Sequence, residues 1–193
     1  METTINPNVK VNNQKHLKLL LWLGIAGMVM LFSALISAYV VMEGRTSWVH
    51  FDLPAIFSIS TAVILLSSIS MNKALSATKA NESQKASAAL LITLFLGLLF
   101  AVLQFVGWHD LYANNIVFAG QNSNPAGSFI YVFTGLHIAH LLGGIIALLV
   151  TLYKNSKRVY SSENRLGVEL CASYWHFLDG LWLYLFLFLV FVR

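Results

Sequence analysis

Charge is scarce in this chain. Of its 193 residues only 10% are Asp, Glu, Lys or Arg, against roughly 25% in an ordinary soluble domain. That is too few polar groups to coat a globule of this size, which excludes a soluble enzyme, a nucleic-acid module and a disordered chain. Cysteine is nearly absent too: Cys171 stands alone, so neither an internal disulfide nor a cysteine metal cluster can form. No glycine-rich phosphate loop, zinc spacing or Ser-His-Asp order at usable depths is present. No internal repeat or low-complexity segment interrupts the chain. The first ten residues are polar and lead into an apolar run too long for a signal peptide, so no cleavable leader is expected.

What the chain has is apolar sequence: 58% of residues are hydrophobic, and the mean hydropathy is +0.71. A helix rises about 1.5 Å per residue and a hydrocarbon core is about 30 Å thick, so about 20 apolar residues cross it. Five stretches qualify, at about 19–42, 53–71, 86–109, 127–153 and 170–192. They are continuously apolar rather than alternating, which favours helices over barrel strands. The stretch Ala113–Asn124 holds four Asn and one Gln and precedes Pro125, so it reads as a loop. The expected architecture is an all-α bundle of five transmembrane helices forming a single membrane domain over 1–193, with loops of about 10 to 17 residues. Small residues such as Gly24 and Gly27, Ser33 and Ser37, Ser67 and Ser70, and Gly143 and Gly144 read as packing positions.

The net charge of +4 is a topology signal rather than a nucleic-acid footprint. Lys10, Lys15 and Lys18 precede the first span, Lys73, Lys79 and Lys85 flank the second loop, and Lys154, Lys157, Arg158 and Arg165 flank the fourth. Arg45 and Arg193 alone fall on the other side. Basic residues concentrate on the cytoplasmic side, so the N-terminus is expected inside and the C-terminus outside.

An ionisable group within a span is expensive and marks a candidate site. His137 and His140 lie on the fourth span, His176 and Asp179 on the fifth. Each pair is spaced i, i+3 and shares a helix face. His140 lies roughly 20 Å and Asp179 roughly 14 Å from the inner ends of their helices. Those similar heights predict a contact, with an Asp–His hydrogen bond lowering the cost of burial. Three roles stay open: a metal or haem site drawing on His137, His140, His176 and Asp179, a proton relay, and a structural network that fixes helix register and meets lipid. Gln104 is expected to bond a neighbouring helix. Trp108, His109 and Asp110 end the third span at belt height, and Glu169 complements the N-terminal dipole of the fifth helix. Trp175 sits near one end of the last span, while Trp182 and Tyr184 lie deeper and face another helix or protein.

Two stretches carry a family resemblance. Gly127 to Gly144 contains T-G-x-H-x-x-H-x-x-G-G, and Tyr174 to Trp182 reads Y-W-H-F-x-D-x-x-W. Both resemble helices of haem–copper oxidase subunit III, in that family's order. Phe32–Tyr39 followed by Trp48, then Leu65–Ser68, then Gln104–Trp108 add to it. The resemblance covers nearly the whole chain after about residue 17. It implies a non-catalytic, multi-pass subunit of a cytochrome c or quinol oxidase in a bacterial plasma membrane, with cytochrome c preferred as donor on general frequency. Haem and copper would reside in the partner subunits and not in this chain. The implied partners are subunit I directly, subunit II, bound phospholipid and a possible respiratory supercomplex, with no nucleic acid. The longer family form has seven helices, of which this chain matches the last five. The residues that carry over are His137, His140, Glu169, Trp175, His176, Asp179 and Trp182, in helix-network and lipid-contact roles. The chain departs from the pattern at Met28 and Gly107, where the family commonly has a carboxylate, so no proton-related role carries over there. The alternative reading is a small membrane cytochrome or metal protein using His137, His140 and His176.

Overall fold

The computed structural model describes residues 7–44, 53–120 and 124–191, with only the backbone described for 7–13. Arg45, Trp48 and Arg193 lie outside the described residues, as does the side chain of Lys10. The described residues form five helices and no strand: α1 (Pro7–Glu43), α2 (Ala55–Lys79), α3 (Ser83–Ala113), α4 (Pro125–Ser156) and α5 (Leu166–Phe191). All five are long and apolar enough to cross a membrane.

The helices outrun the apolar stretches, because backbone hydrogen bonds continue past the hydrocarbon once a helix is started. The expected loop between α2 and α3 shrinks to the turn Ala80–Glu82, so Lys79 rides on the last turn of α2 and Lys85 on the first turns of α3. Asn81 takes φ 59° in that turn, a left-handed conformation that asparagine tolerates. Its side chain then bonds Ser162 of the α4–α5 loop twice: Nδ2 donates to Oγ at 3.1 Å, and Oδ1 accepts from the backbone N–H at 2.7 Å. Helix α4 begins at Pro125 because Asn124 caps it, its Oδ1 accepting from Ala126 N–H at 2.9 Å. Proline at the first helical position loses no intrahelical bond.

Helix α2 packs on α3 and α5, and α4 packs on α3 and α5, so these four close into a ring. Small side chains allow close approach of α2 and α3: Ala74, Ala86 and Ala89 are buried, and Ser70 Oγ donates to the Ala89 carbonyl at 2.9 Å. Among the described residues, helix α1 touches only α4 and α5. Its buried residues Ile25, Met28, Phe32 and Tyr39 recur at helical spacing. The Tyr39 ring meets Phe129, Phe133 and Phe188 at centroid distances of 5.5, 6.2 and 5.2 Å. Such aromatic pairs contribute about 0.5–1.5 kcal/mol each beyond area burial. The outward surface is apolar (Leu20, Leu23, Met30, Phe95 and Ile146 are more than half exposed), as a lipid-facing surface must be.

Candidate functional site

The polar groups at membrane depth sort by helix face. On α5, Trp175, His176, Asp179 and Trp182 lie at spacings of one, three and three residues, a stripe turned toward α2. The antiparallel α2 answers with hydroxyls. Trp175 Nε1–H donates to Ser67 Oγ at 2.9 Å, and Trp182 Nε1–H donates to Thr61 Oγ1 at 3.0 Å. Beyond the Ser67 rung, away from Thr61, His176 uses both ring nitrogens: Nε2 lies 3.1 Å from Asn72 Oδ1 and Nδ1 lies 2.6 Å from Ser68 Oγ. An amide oxygen only accepts, so Nε2 carries the proton and a neutral ring accepts the Ser68 hydroxyl at Nδ1. Each indole thus has its donor satisfied in a medium that offers no water.

The hydrogen bond expected between Asp179 and His140 is not formed. Neither Asp179 oxygen has a hydrogen-bond partner, although the residue is 3% exposed. His140 instead donates from Nδ1 to the Leu136 carbonyl one turn back at 2.7 Å, and its ring packs on Phe32 of α1 at 5.8 Å. The reason is rotation. Equal height does not give equal azimuth: His140 faces α1, while Asp179 belongs to the stripe facing α2. The tie between α4 and α5 at this height is Tyr174, whose O–H donates to the His140 carbonyl at 3.1 Å.

His137 diverges from His140 despite their i, i+3 spacing. It is fully buried, and neither ring nitrogen has a hydrogen-bond partner. Its ring is held between Phe100 at 5.7 Å and Trp182 at 5.0 Å. Glu169 lies apart, at the start of α5, where it accepts from Arg165 Nε at 2.7 Å and pairs with Lys18 of α1 at 4.0 Å. The structure therefore brings Trp175, His176, Asp179 and Trp182 together along the α2–α5 seam, places His137 against Trp182, and leaves His140 and Glu169 separate. Among the described residues no group of three or more His, Cys, Asp or Glu side chains is placed to hold a metal ion.

Sequence reasoning missed the other half of the seam. Thr61, Ser67 and Asn72 are its acceptors and Ser68 its donor, and the signal was present: hydroxyls six apart on α2 match tryptophans seven apart on α5. Gln104 does bond a neighbouring helix, Nε2 donating to Ser60 Oγ of α2 at 2.8 Å. Trp108 is also tied inward, Nε1–H donating to Thr134 Oγ1 at 2.8 Å. Gly107 has its own reason. A Cβ there would meet Phe57 Cζ at 2.9 Å, so the phenyl ring of α2 occupies the space that a side chain would need.

A second feature lies between α1, α4 and α5 at the Lys-rich end: a groove of about 450 Å³ whose lining includes Leu21, Ala147, Leu170 and Cys171 with Lys154 and Tyr160. Burial pushes the phenol of Tyr160, in the α4–α5 loop, above its ordinary range. The walls are apolar and the mouth carries one cation.

The family model "Cytochrome c oxidase subunit III" matches residues 1–192. A cytochrome c oxidase subunit 3 from Latimeria chalumnae is 32% identical over 143 residues, 74% of this chain and 51% of that protein. One from Spodoptera frugiperda is 30% identical over 140 residues, 71% of this chain and 87% of that one. A probable cytochrome c oxidase subunit 3 from Rickettsia felis is 32% identical over 140 residues, 72% of this chain and 47% of that protein. The chain thus spans about half the length of the Latimeria and Rickettsia proteins it matches. With the five apolar helices, the T-G-x-H-x-x-H helix α4 and the Y-W-H-F-x-D-x-x-W seam of α5, this match over nearly all of its length places the chain in the cytochrome c oxidase subunit III family.

Proposed function

We propose that this chain is a non-catalytic accessory subunit of a haem–copper terminal oxidase that takes electrons from cytochrome c. It stabilises the haem-bearing subunit I, assembles with subunit II, and carries no haem or copper itself. It works in a bacterial plasma membrane with its N-terminus on the cytoplasmic side, where ten of its twelve basic residues would lie. The observation that carries this reading is the family match over residues 1–192. What supports it further is how the polar side chains are spent: His176, Trp175 and Trp182 engage α2 through hydrogen bonds. His137, His140, Glu169 and Asp179 act with them as a scaffold that fixes helix register rather than as reacting groups.

The groove beside Lys154 suits a phospholipid, with an acyl chain along the apolar wall and the phosphate against the ammonium group. Exchanging Lys154→Glu should lower the phospholipid retained per chain after detergent purification. The reading of a small cytochrome on His137, His140 and His176 has less support, because both ring nitrogens of His176 already have protein partners.

The deciding experiment is purification of the tagged chain from its native membrane. Co-purification with a haem-bearing subunit at fixed stoichiometry, and no Soret band in the separated chain, are expected. A Soret band in the separated chain that disappears in His176→Ala would overturn the proposal.

A further inference from the structure

We propose that the ring of α2–α5 binds one water molecule at mid-depth, which donates one proton to Gln104 Oε1 and the other to the unprotonated ring nitrogen of His137. This site is independent of the oxidase reading, because it is built by four helices of this chain alone.

One layer of the ring takes side chains from each of its helices: Ser60 and Thr61 from α2, Phe100 and Gln104 from α3, His137 from α4 and Trp182 from α5. All six are buried. Antiparallel packing sets the heights. Trp108 of α3 bonds Thr134 of α4, so Gln104, four residues in from Trp108, and His137, three residues in from Thr134, lie level. Contacts set the rotation. The Phe100 ring, one turn from Gln104 on the same face, meets His137 at 5.7 Å, and Trp182 meets Phe100 and His137, both at 5.0 Å. The layer lies about 14 Å from the outer end of α3 and about 18 Å from that of α4, well below the loops at that end.

The protons of this layer are almost all spent. Ser60 Oγ and Thr61 Oγ1 both donate to the Phe57 carbonyl, at 2.9 and 2.7 Å. Each hydroxyl can then only accept: Ser60 from Gln104 Nε2 at 2.8 Å, Thr61 from Trp182 Nε1–H at 3.0 Å. That fixes the Gln104 amide with its nitrogen toward Ser60 and its oxygen turned away. Among the described residues, neither Gln104 Oε1 nor either ring nitrogen of His137 has a hydrogen-bond partner. A neutral imidazole adds one acceptor and one N–H. Two acceptors are therefore left over, and a water has two O–H groups to give. It satisfies an oxygen and a nitrogen that hydrocarbon cannot. The remaining imidazole N–H has the rings of Phe100 and Trp182 for neighbours, and aromatic faces are weak acceptors. Trp175, as deeply buried, needs no such guest: its N–H is bonded to Ser67 and its ring lies against Gly97.

The test is X-ray radiolytic labelling in heavy-oxygen water of the full chain in native-lipid nanodiscs, since radicals formed at an ordered water oxidise the rings beside it. Labelling of Trp182 and Phe100 at least about fivefold above that of Trp175 is expected. Gln104→Leu and His137→Phe should each bring it down to the Trp175 level while circular dichroism stays unchanged. Equal labelling of Trp182 and Trp175 in the wild type would overturn the site, as would full labelling in a folded Gln104→Leu variant. A wild-type cryo-electron density map that resolves ordered water elsewhere needs no variant to fold. Density within about 3.2 Å of both Gln104 Oε1 and a His137 nitrogen is expected, and a direct Gln104–His137 hydrogen bond or a dry layer would overturn the proposal.

Discussion

Gly97 of α3 lies against the indole of Trp175, so close that a Cβ on it would stand 2.8 Å from Cη2 and 2.9 Å from Cζ2. Trp175 is fully buried, and its other edge reaches α2 through the Ser67 hydrogen bond. One tryptophan thus sets the spacing of three helices, and the absent side chain at position 97 is what lets it do so. Gly97→Val should push the indole off Ser67 and lower stability by about 1–3 kcal/mol, the usual range for overpacking. Thermal unfolding of the detergent-solubilised chain, followed by tryptophan fluorescence, measures it; an unchanged midpoint would contradict this packing.

The seam between Ser68 and His176 can be weighed by a double-mutant cycle. Ser68→Ala and His176→Phe each remove one side of the 2.6 Å contact. Hydrogen bonds between membrane helices are worth about 0.6 kcal/mol on average and about 1.7 at most, because the unfolded chain in lipid also finds partners. The coupling energy from denaturant titrations should fall in that range, and a value of zero would remove the Ser68 contact, leaving Asn72 as the tie of His176 to α2.

Asp179 is expected to behave differently from its neighbours. With neither oxygen in a geometrically formed hydrogen bond and Ser68 the side chain that its carboxyl faces, Asp179→Asn keeps the shape and the same neighbour. Stability should change by less than about 1 kcal/mol. Tyr174→Phe, which deletes the tie to the His140 carbonyl, should cost about 0.6 kcal/mol. Finding Asp179→Asn the more damaging of the two would restore the Asp–His contact that equal depth suggested.

Position 107 offers a rescue test. Gly107→Glu installs the carboxylate common in the family, but Phe57 fills that space. The single variant should assemble poorly. Adding Phe57→Ala opens the room and should recover assembly in part, read as the yield of folded chain by size-exclusion chromatography. A fully folded single variant would mean that Phe57 can move aside.

Much of this was legible in the residues because the membrane imposes simple rules. A run such as Leu19 to Met42 without a charge can only be a spanning helix, and all five helices were readable in that way. Their ends were not: α1 begins at Pro7 and the α2–α3 connection is three residues long, since polar residues continue a helix as readily as they leave one. The candidate residues were legible too, because ionisable and indole groups at depth stand out against Leu and Ile. Their partners were not. Thr61, Ser67 and Ser68 look like small packing residues until α5 lies beside them.

The sequence alone determined which segments cross the membrane, the all-helical class, the family motifs and the polar groups that matter, because solvation in hydrocarbon acts on each segment independently. Tertiary structure alone decided the pairing. Height along a helix follows from counting residues at a fixed rise, but the rotation of one helix against another follows from packing. That rotation turned His176 to Ser68 and Asn72, His140 to Phe32, and Asp179 away from both histidines of α4.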